Sequence, residues 1–212
     1  MNVVEKRIFI IFAIIFTVGA VGFIVPALRS LMVPLTPITI LAAFITSIAF
    51  EKKISFGFVA SLVCIGIMGF FVEYAGVETG KIFGVYQYGP TLGIKWNGIP
   101  FLIGVNWMAV ILFANNWSKL HIKNPTIAAF VGAIIATGFD YIIEPVAQAY
   151  NFWKWQYGNI PLQNYIAWFV VALLFSILYQ NTHKVIKNRI ASGIFLLEIL
   201  FFATIFVYLK FF

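Results

Sequence analysis

The stretch IFIIFAIIFTVGAVGFIVPAL, from Ile8 to Leu28, contains no charged residue and lies between Arg7 and Arg29. A helix of about 20 apolar residues is long enough to cross the hydrocarbon core of a bilayer. The same pattern recurs along the chain, so it predicts several membrane-spanning helices. The predicted spans are 8–28, 30–50, 54–73, 98–118, 124–144, 161–182 and 190–209. The fold class that follows is an all-α polytopic membrane helix bundle with about seven transmembrane helices.

The composition excludes a soluble globular domain. Of the 212 residues, 62% are hydrophobic and 10% are charged, whereas a soluble domain has about 25% charged residues. A soluble protein this apolar would expose large hydrophobic patches. The hydrophobic content also excludes a disordered chain, and a single cysteine, Cys64, excludes a disulfide scaffold. We therefore predict one transmembrane domain over residues 1–212, surrounded by membrane lipid.

The distribution of basic residues predicts the orientation of the chain, because cytoplasmic loops are enriched in Lys and Arg. Nine basic residues fall on one side of the predicted spans: Lys6, Arg7, Lys52, Lys53, Lys119, Lys123, Lys184, Lys187 and Arg189. Five fall on the other side: Arg29, Lys81, Lys95, Lys154 and Lys210. We expect the amino terminus in the cytoplasm and the carboxyl terminus outside, in the cell membrane. The net charge of +7 is then a topology signal, and nucleic-acid binding is not expected.

Two long connectors on the predicted outer face resemble each other. Tyr86-Gln-Tyr88-Gly89 in the first matches Trp155-Gln-Tyr157-Gly158 in the second. Each connector then has an Ile-Pro pair, and Trp107 and Trp168 each follow that proline by the same spacing. Taken singly, such aromatic residues are typical of a membrane interface. Taken together, they predict that spans 3–4 and 5–6 are parallel repeats with a site at their shared outer face.

Carboxylates close both helices that lead into these connectors. Asp140 and Glu144 are four residues apart, so they share one helix face. Two carboxyl groups this close in apolar surroundings do not both ionise readily, so one is expected to stay a neutral carboxylic acid. The alternative is a helix-end pair bridged to Lys81, Lys95 or Lys154. Glu73 and Glu78 flank the end of the third span, and Glu198 is interpreted as a packing contact or part of a proton path.

Several classes of cofactor enzyme lack support in the sequence. The two histidines, His121 and His183, both fall on the predicted cytoplasmic face, so a di-iron or haem centre within the spans is not expected. No nucleotide-binding glycine motif or Cys-x-x-Cys motif is present. A magnesium-dependent membrane prenyltransferase stays open as an alternative, since Asp140-x-x-x-Glu144 could form half of a diphosphate site. We expect neither a cofactor nor a metal.

Two segments, Phe71–Trp107 and Gly138–Phe169, resemble the integral-membrane carotenoid biosynthesis protein family. This family includes carotenoid 1′,2′-hydratases and bisanhydrobacterioruberin hydratases. The motifs that carry the resemblance are Glu73 with Glu78 and Gly80, Phe83–Tyr88, Gly98–Pro100, Asp140 with Glu144-Pro145, and Trp153–Gly158. The resemblance implies addition of water to the terminal C1′=C2′ double bond of an acyclic carotenoid end group, without a cofactor. The implied substrate is an acyclic or monocyclic carotenoid such as lycopene, γ-carotene or a C50 compound, and other enzymes of the carotenoid pathway are possible partners.

The residues suit this chemistry, because protonation of such an alkene gives a tertiary cation. We expect Asp140 or Glu144 to act as the acid, and Glu73 or Glu78 to act as the base toward water. Asn106 and Asn164 could orient the water, and Trp107 and Trp168 are expected to bind substrate. Aromatic rings can stabilise the cation, and the candidates are Tyr86, Tyr88, Trp153, Trp155 and Tyr157. Two alternatives without this chemistry stay open: a carotenoid- or lipid-binding protein, and a small proton-coupled transporter.

Overall fold

The computed structural model describes residues 1–183 and 187–212, and it confirms the all-α fold. Lys184, one of the basic residues counted for orientation, lies outside the described residues. The helices are α1 (Val3–Ile24), α2 (Pro26–Met32), α3 (Thr36–Ala49), α4 (Phe56–Thr79), α5 (Leu102–His121), α6 (Pro125–Ala149), α7 (Leu162–Thr182) and α8 (Arg189–Phe211).

Six helical segments of the described residues are long and apolar enough to cross a membrane, and α2 with α3 counts as one of them. Helix α5, which corresponds to the fourth predicted span, is not among the six. It carries Asn106, Asn115 and Asn116, and most of its residues are buried within the bundle. Its neighbours cover it, so it does not need the apolar surface of a lipid-facing helix.

Polar side chains cap the starts of α4 and α6. The Ser55 side chain accepts a hydrogen bond from the Phe58 N–H at the start of α4, and Asn124 caps α6 ahead of Pro125. These side chains satisfy N–H groups that have no partner within the first turn of a helix. Helices α4 and α6 therefore begin directly after these capping residues.

The second predicted span, 30–50, differs from the structure because proline interrupts it. Helix α1 ends at Ile24, and Pro26 begins the short helix α2. A tight turn over Val33–Leu35, which contains Pro34, then separates α2 from α3. Arg29 does not separate two spans as predicted. It lies within α2, and its guanidinium donates to the Phe23 and Ile24 carbonyls at 2.9 and 3.1 Å.

Small residues bring α4 and α5 close together. A Cβ atom at Gly104 would lie 2.7 Å from the Gly66 carbonyl oxygen, and one at Gly69 would lie 2.7 Å from the Trp107 ring. Close approach through small residues is a common way for membrane helices to pack. The contact between Gly69 and Trp107 places the indole one helical turn from Glu73, because residues four apart share a helix face.

The two connectors pair with each other across one end of the bundle. Strand β1 (Tyr86–Tyr88) in the first connector is antiparallel to β4 (Trp153–Trp155) in the second. Tyr86 lies opposite Trp155, and Tyr88 lies opposite Trp153. A second small hairpin joins β2 (Lys95–Trp96) to β3 (Ile99–Pro100) within the first connector. The two connectors are therefore in direct contact, and of the matching sequences Tyr86 and Trp155 lie opposite each other.

We expect Gly89→Ala to destabilise this pairing. The Gly89 N–H donates to the Phe152 carbonyl at 2.8 Å, and a Cβ atom at Gly89 would lie 1.9 Å from the Asn151 carbonyl oxygen. The backbone would have to move, at a cost of about 1–3 kcal/mol. Thermal unfolding in detergent measures the effect. Gly138→Ala in α6 is the control, because a Cβ there meets nothing within 4 Å and alanine favours a helix. Equal stability of both variants would contradict the predicted clash.

Candidate active site

Glu73 and Glu144 line the same small cavity at the end of the bundle where the connectors pair. Glu73 comes from the last turns of α4, and Glu144 from the last turns of α6. The cavity measures about 20 Å³, which is room for about one water molecule. Its lining residues are Glu73, Phe83, Tyr86, Tyr88, Ile103, Asn106, Glu144, Trp153, Trp155, Asn164 and Trp168.

The Glu73 carboxylate is buried, with 3% of its surface exposed. Its Oε2 atom accepts hydrogen bonds from the Tyr86 and Tyr88 hydroxyls, the latter at 2.7 Å. Its Oε1 atom accepts from Trp107 Nε1 at 3.0 Å. Three donors to one carboxyl group favour its charged form, since hydrogen bonds to the anion offset part of its burial.

Burial raises the pKa of the Tyr86 hydroxyl well above its usual range, and the neighbouring Glu73 charge raises it further. The pKa of Tyr88 is raised by the same two causes, in the same order. Both phenols therefore stay protonated at neutral pH. They act as hydrogen-bond donors to Glu73 and do not serve as bases.

Glu144 is held in a similar way by the second connector. Its Oε2 atom accepts from Trp153 Nε1 at 2.9 Å and from Trp155 Nε1 at 2.8 Å. Its Oε1 atom accepts from Asn164 Nδ2 at 3.0 Å. Each carboxylate is thus held by two aromatic donors from the connector that follows its own helix.

The pairing of Trp107 with Trp168 extends this correspondence into the helices. Their rings stack at a centroid distance of 4.1 Å and an interplanar angle of 21°. The two tryptophans occupy matching positions after the two connectors, and Tyr86 and Trp155 match as well. At these two pairs, the similarity of the two sequences therefore corresponds to side chains that meet at one site.

Asp140 lies beside Glu144 but is not among the residues that line the cavity. It is buried, and Asn164 Nδ2 donates to Asp140 Oδ2 at 3.0 Å as well as to Glu144. One amide nitrogen thus joins two carboxyl groups, while Asp140 accepts from no other hydrogen-bond donor in the described part of the chain. Two buried carboxylates in contact repel each other, so the arrangement favours one shared proton.

The alternative of a helix-end salt bridge is not observed among residues 1–183 and 187–212. No Lys or Arg in that part of the chain forms a salt bridge with Glu73, Asp140 or Glu144. Lys95 instead donates to the Tyr88 carbonyl at 2.6 Å. The described residues also contain no group of three or more His, Cys, Asp or Glu side chains arranged to hold a metal ion.

Two predicted site residues lie away from the cavity. Glu78 is exposed on the last turn of α4, five residues beyond Glu73 and so on another face of the helix. Tyr157 is 79% exposed. Conversely, Ile103 lines the cavity and was not predicted. Its position four residues before Trp107 on α5 was the available signal, since such residues share a helix face.

A family model described as "Carotenoid biosynthesis protein" matches residues 32–211. The chain belongs to this family. The match covers both connectors and every residue that lines the cavity. The chain's long apolar helices make it a membrane protein of this family.

The chain is similar to a curated relative, the bisanhydrobacterioruberin hydratase of Haloarcula japonica. It is 28% identical over 150 residues, which are 65% of this chain and 50% of the relative. The chain therefore spans about half the length of the relative that it matches. No solved structure matches the chain.

Proposed function

We propose that this member of the carotenoid biosynthesis family is a hydratase. It adds water across the terminal C1′=C2′ double bond of an acyclic carotenoid end group, without a cofactor. The observation that carries the proposal is a water-sized cavity lined by two buried carboxyl groups and walled by aromatic rings. The similarity to a bisanhydrobacterioruberin hydratase supports the same reaction type.

The reaction begins with transfer of a proton from the Asp140–Glu144 pair. Glu144 is the member of the pair that faces the cavity. The alkene electron pair forms a C–H bond at C2′, and C1′ becomes a tertiary cation. Aromatic faces attract a cation without adding to it, and Tyr86, Tyr88 and Trp155 line the same cavity.

Water then completes the addition. Its oxygen forms a bond to C1′, and its excess proton passes to Glu73, whose carboxyl oxygens accept from three hydrogen-bond donors. Asn106 and Asn164 line the same cavity and can orient the water. The proton returns from Glu73 to Glu144 across the cavity that both residues line. The net reaction is alkene plus water giving a tertiary alcohol, and the site returns to its starting protonation state.

Asp140 has a positioning role in this scheme, because it keeps the proton within the pair without facing the cavity. We expect Asp140→Asn to lower the hydration rate by about 10- to 100-fold, the usual effect of losing a group that supports a reacting residue. Asp140→Glu keeps a carboxyl group, so it should be more active than Asp140→Asn. A purely structural role for Asp140 would not require this difference. Wild-type activity in Asp140→Asn would contradict the shared proton.

The proposed substrate is an acyclic or monocyclic carotenoid, such as lycopene, γ-carotene or a C50 compound. We place the protein in the cell membrane, with its amino terminus in the cytoplasm and the connectors outside. The excess of basic residues on one side supports this orientation. Contacts with other enzymes of the carotenoid pathway would suit a substrate that is insoluble in water.

Expression in a host that accumulates lycopene or γ-carotene tests the proposal. Mass analysis of the pigments should show products heavier by one or two water molecules, with the oxygen derived from labelled water. A matched strain with Glu144→Gln at equal protein level is the control. Unchanged pigment with folded protein, or pigment that only copurifies, would contradict the hydratase and favour a binding protein.

A further inference from the structure

Two further hollow regions lie between the carboxylate cavity and the lipid-facing side of the bundle. A second cavity, of about 40 Å³, shares Ile103, Asn106 and Trp153 with the carboxylate cavity. A groove of about 350 Å³ in turn shares Ile40, Glu198 and Phe202 with the second cavity. The three regions therefore adjoin one another in series.

The groove lies between α1, α3 and α8, and its walls are almost entirely apolar. Ile14 and Val18 line it and are 59% and 51% exposed, so the groove opens toward the surroundings of the helices. Leu35, in the proline-containing turn between α2 and α3, and Thr36, which follows it, also line the groove. A long hydrocarbon chain can enter here from the bilayer, whereas the carboxylate cavity holds only about one water.

Glu198 is an acidic residue that lines both the groove and the second cavity. Within residues 1–183 and 187–212, its carboxyl group forms neither a hydrogen bond nor a salt bridge. The two threonines of the groove, Thr36 and Thr39, donate to backbone carbonyls of their own segment. The predicted packing contact of Glu198 with another polar group is therefore not observed.

A carboxyl group among apolar side chains is costly unless a polar group binds it. The hydrocarbon of a carotenoid offers no such group, but a hydroxyl or carbonyl on the carotenoid does. We propose that the groove holds the polyene chain and that Glu198 binds an oxygen-bearing group of the substrate. This inference rests on the proposed function for the identity of the ligand, and it makes Glu198 a specificity-determining residue.

The expected preference follows from the asymmetry of hydrogen-bonded sites. A site built to bind an oxygen group discriminates against an analogue that lacks it, because its own polar group then stays unpaired. We expect the protein to bind the best oxygenated carotenoid about 10-fold more tightly than lycopene. Glu198→Leu should abolish this preference by binding lycopene as well as or better than the wild type does. Glu198→Gln, which retains hydrogen-bonding atoms, should keep part of it.

The test uses the full chain in lipid nanodiscs. The probes are lycopene and acyclic carotenoids that carry one hydroxyl or keto group at successive positions from the reacting end. Binding is measured by quenching of tryptophan fluorescence, and hydration by mass analysis. Thr204→Val is the matched control, because Thr204 is an exposed polar residue of α8 that lies outside the groove.

The binding measurement separates this inference from the proposed function. If no variant hydrates any probe but Glu198→Leu alone loses the binding preference, the inference holds and the hydratase proposal fails. If hydration is intact but wild type and Glu198→Leu show the same preference, the inference is overturned. Loss of lycopene hydration in stable Glu198→Leu, with its preference unchanged, would also overturn it and assign Glu198 to proton transfer.

Discussion

Replacing Glu144 by glutamine is expected to lower the rate of water addition by about 10²- to 10⁴-fold, the usual contribution of a general acid. The amide matches the carboxyl group in size, and its oxygen can still accept from Trp153 and Trp155, which donate at 2.9 and 2.8 Å. It has no acidic proton to give to the alkene. Hydration is measured in membranes that contain equal amounts of each variant.

Glu78→Gln makes the same chemical change at an exposed position outside the cavity. It should hydrate at the wild-type rate, which would also exclude Glu78 as the base toward water. If Glu144→Gln retains full activity while it unfolds at the wild-type temperature, Glu144 is not the acid. If Glu78→Gln is inactive instead, the reaction takes place outside the carboxylate cavity.

Replacing Trp107 by alanine is expected to cost about 3–5 kcal/mol of stability, as for other large-to-small changes in a core. The indole has no exposed surface and stacks on Trp168 at 4.1 Å. Its Nε1 atom also donates to Glu73 at 3.0 Å. The substitution therefore removes a packed ring and leaves a buried carboxylate with fewer donors. Thermal unfolding in detergent measures the loss.

Trp96→Ala is the matched control, since the Trp96 side chain is 45% exposed and packs against Phe70 and Tyr74 at the edge of the bundle. It should unfold close to the wild-type temperature. Trp107→Phe keeps an aromatic ring but no N–H donor, so it should be more stable than Trp107→Ala and still reduce hydration. Equal stability of Trp107→Ala and Trp96→Ala would show that the stacked pair does not support the site.

Local sequence features predicted most of the helices, because a lipid-facing helix must be apolar over its length. Ser55 and Asn124 cap the starts of α4 and α6, and capping also depends only on neighbours in sequence. The second span differs between prediction and structure, because prolines at positions 26 and 34 break the helix there. Helix α5 was predicted as the span 98–118 but is less apolar than the six membrane-spanning segments. Burial among other helices relaxes the need for apolar residues there.

The proximity of Asp140 and Glu144 could be predicted from a four-residue spacing, which is fixed by the helix itself. That Glu73 and not Glu78 reaches the cavity could not be predicted, because the rotation of α4 depends on its packing against α5. Likewise, nothing local to Glu198 indicates that it borders a groove formed by α1 and α3. Such features depend on residues that are distant in sequence.

The sequence by itself determined an all-α membrane protein of the carotenoid biosynthesis family, with aromatic connectors that follow buried acids. Charge-free intervals, capping residues and connector motifs involve residues that are close together in the chain, so the sequence alone reveals them. Only the tertiary structure decided that β1 pairs with β4 and that Glu73 and Glu144 line one cavity. The reason is that these contacts join separate helices, and helix packing depends on the fit of many side chains at once.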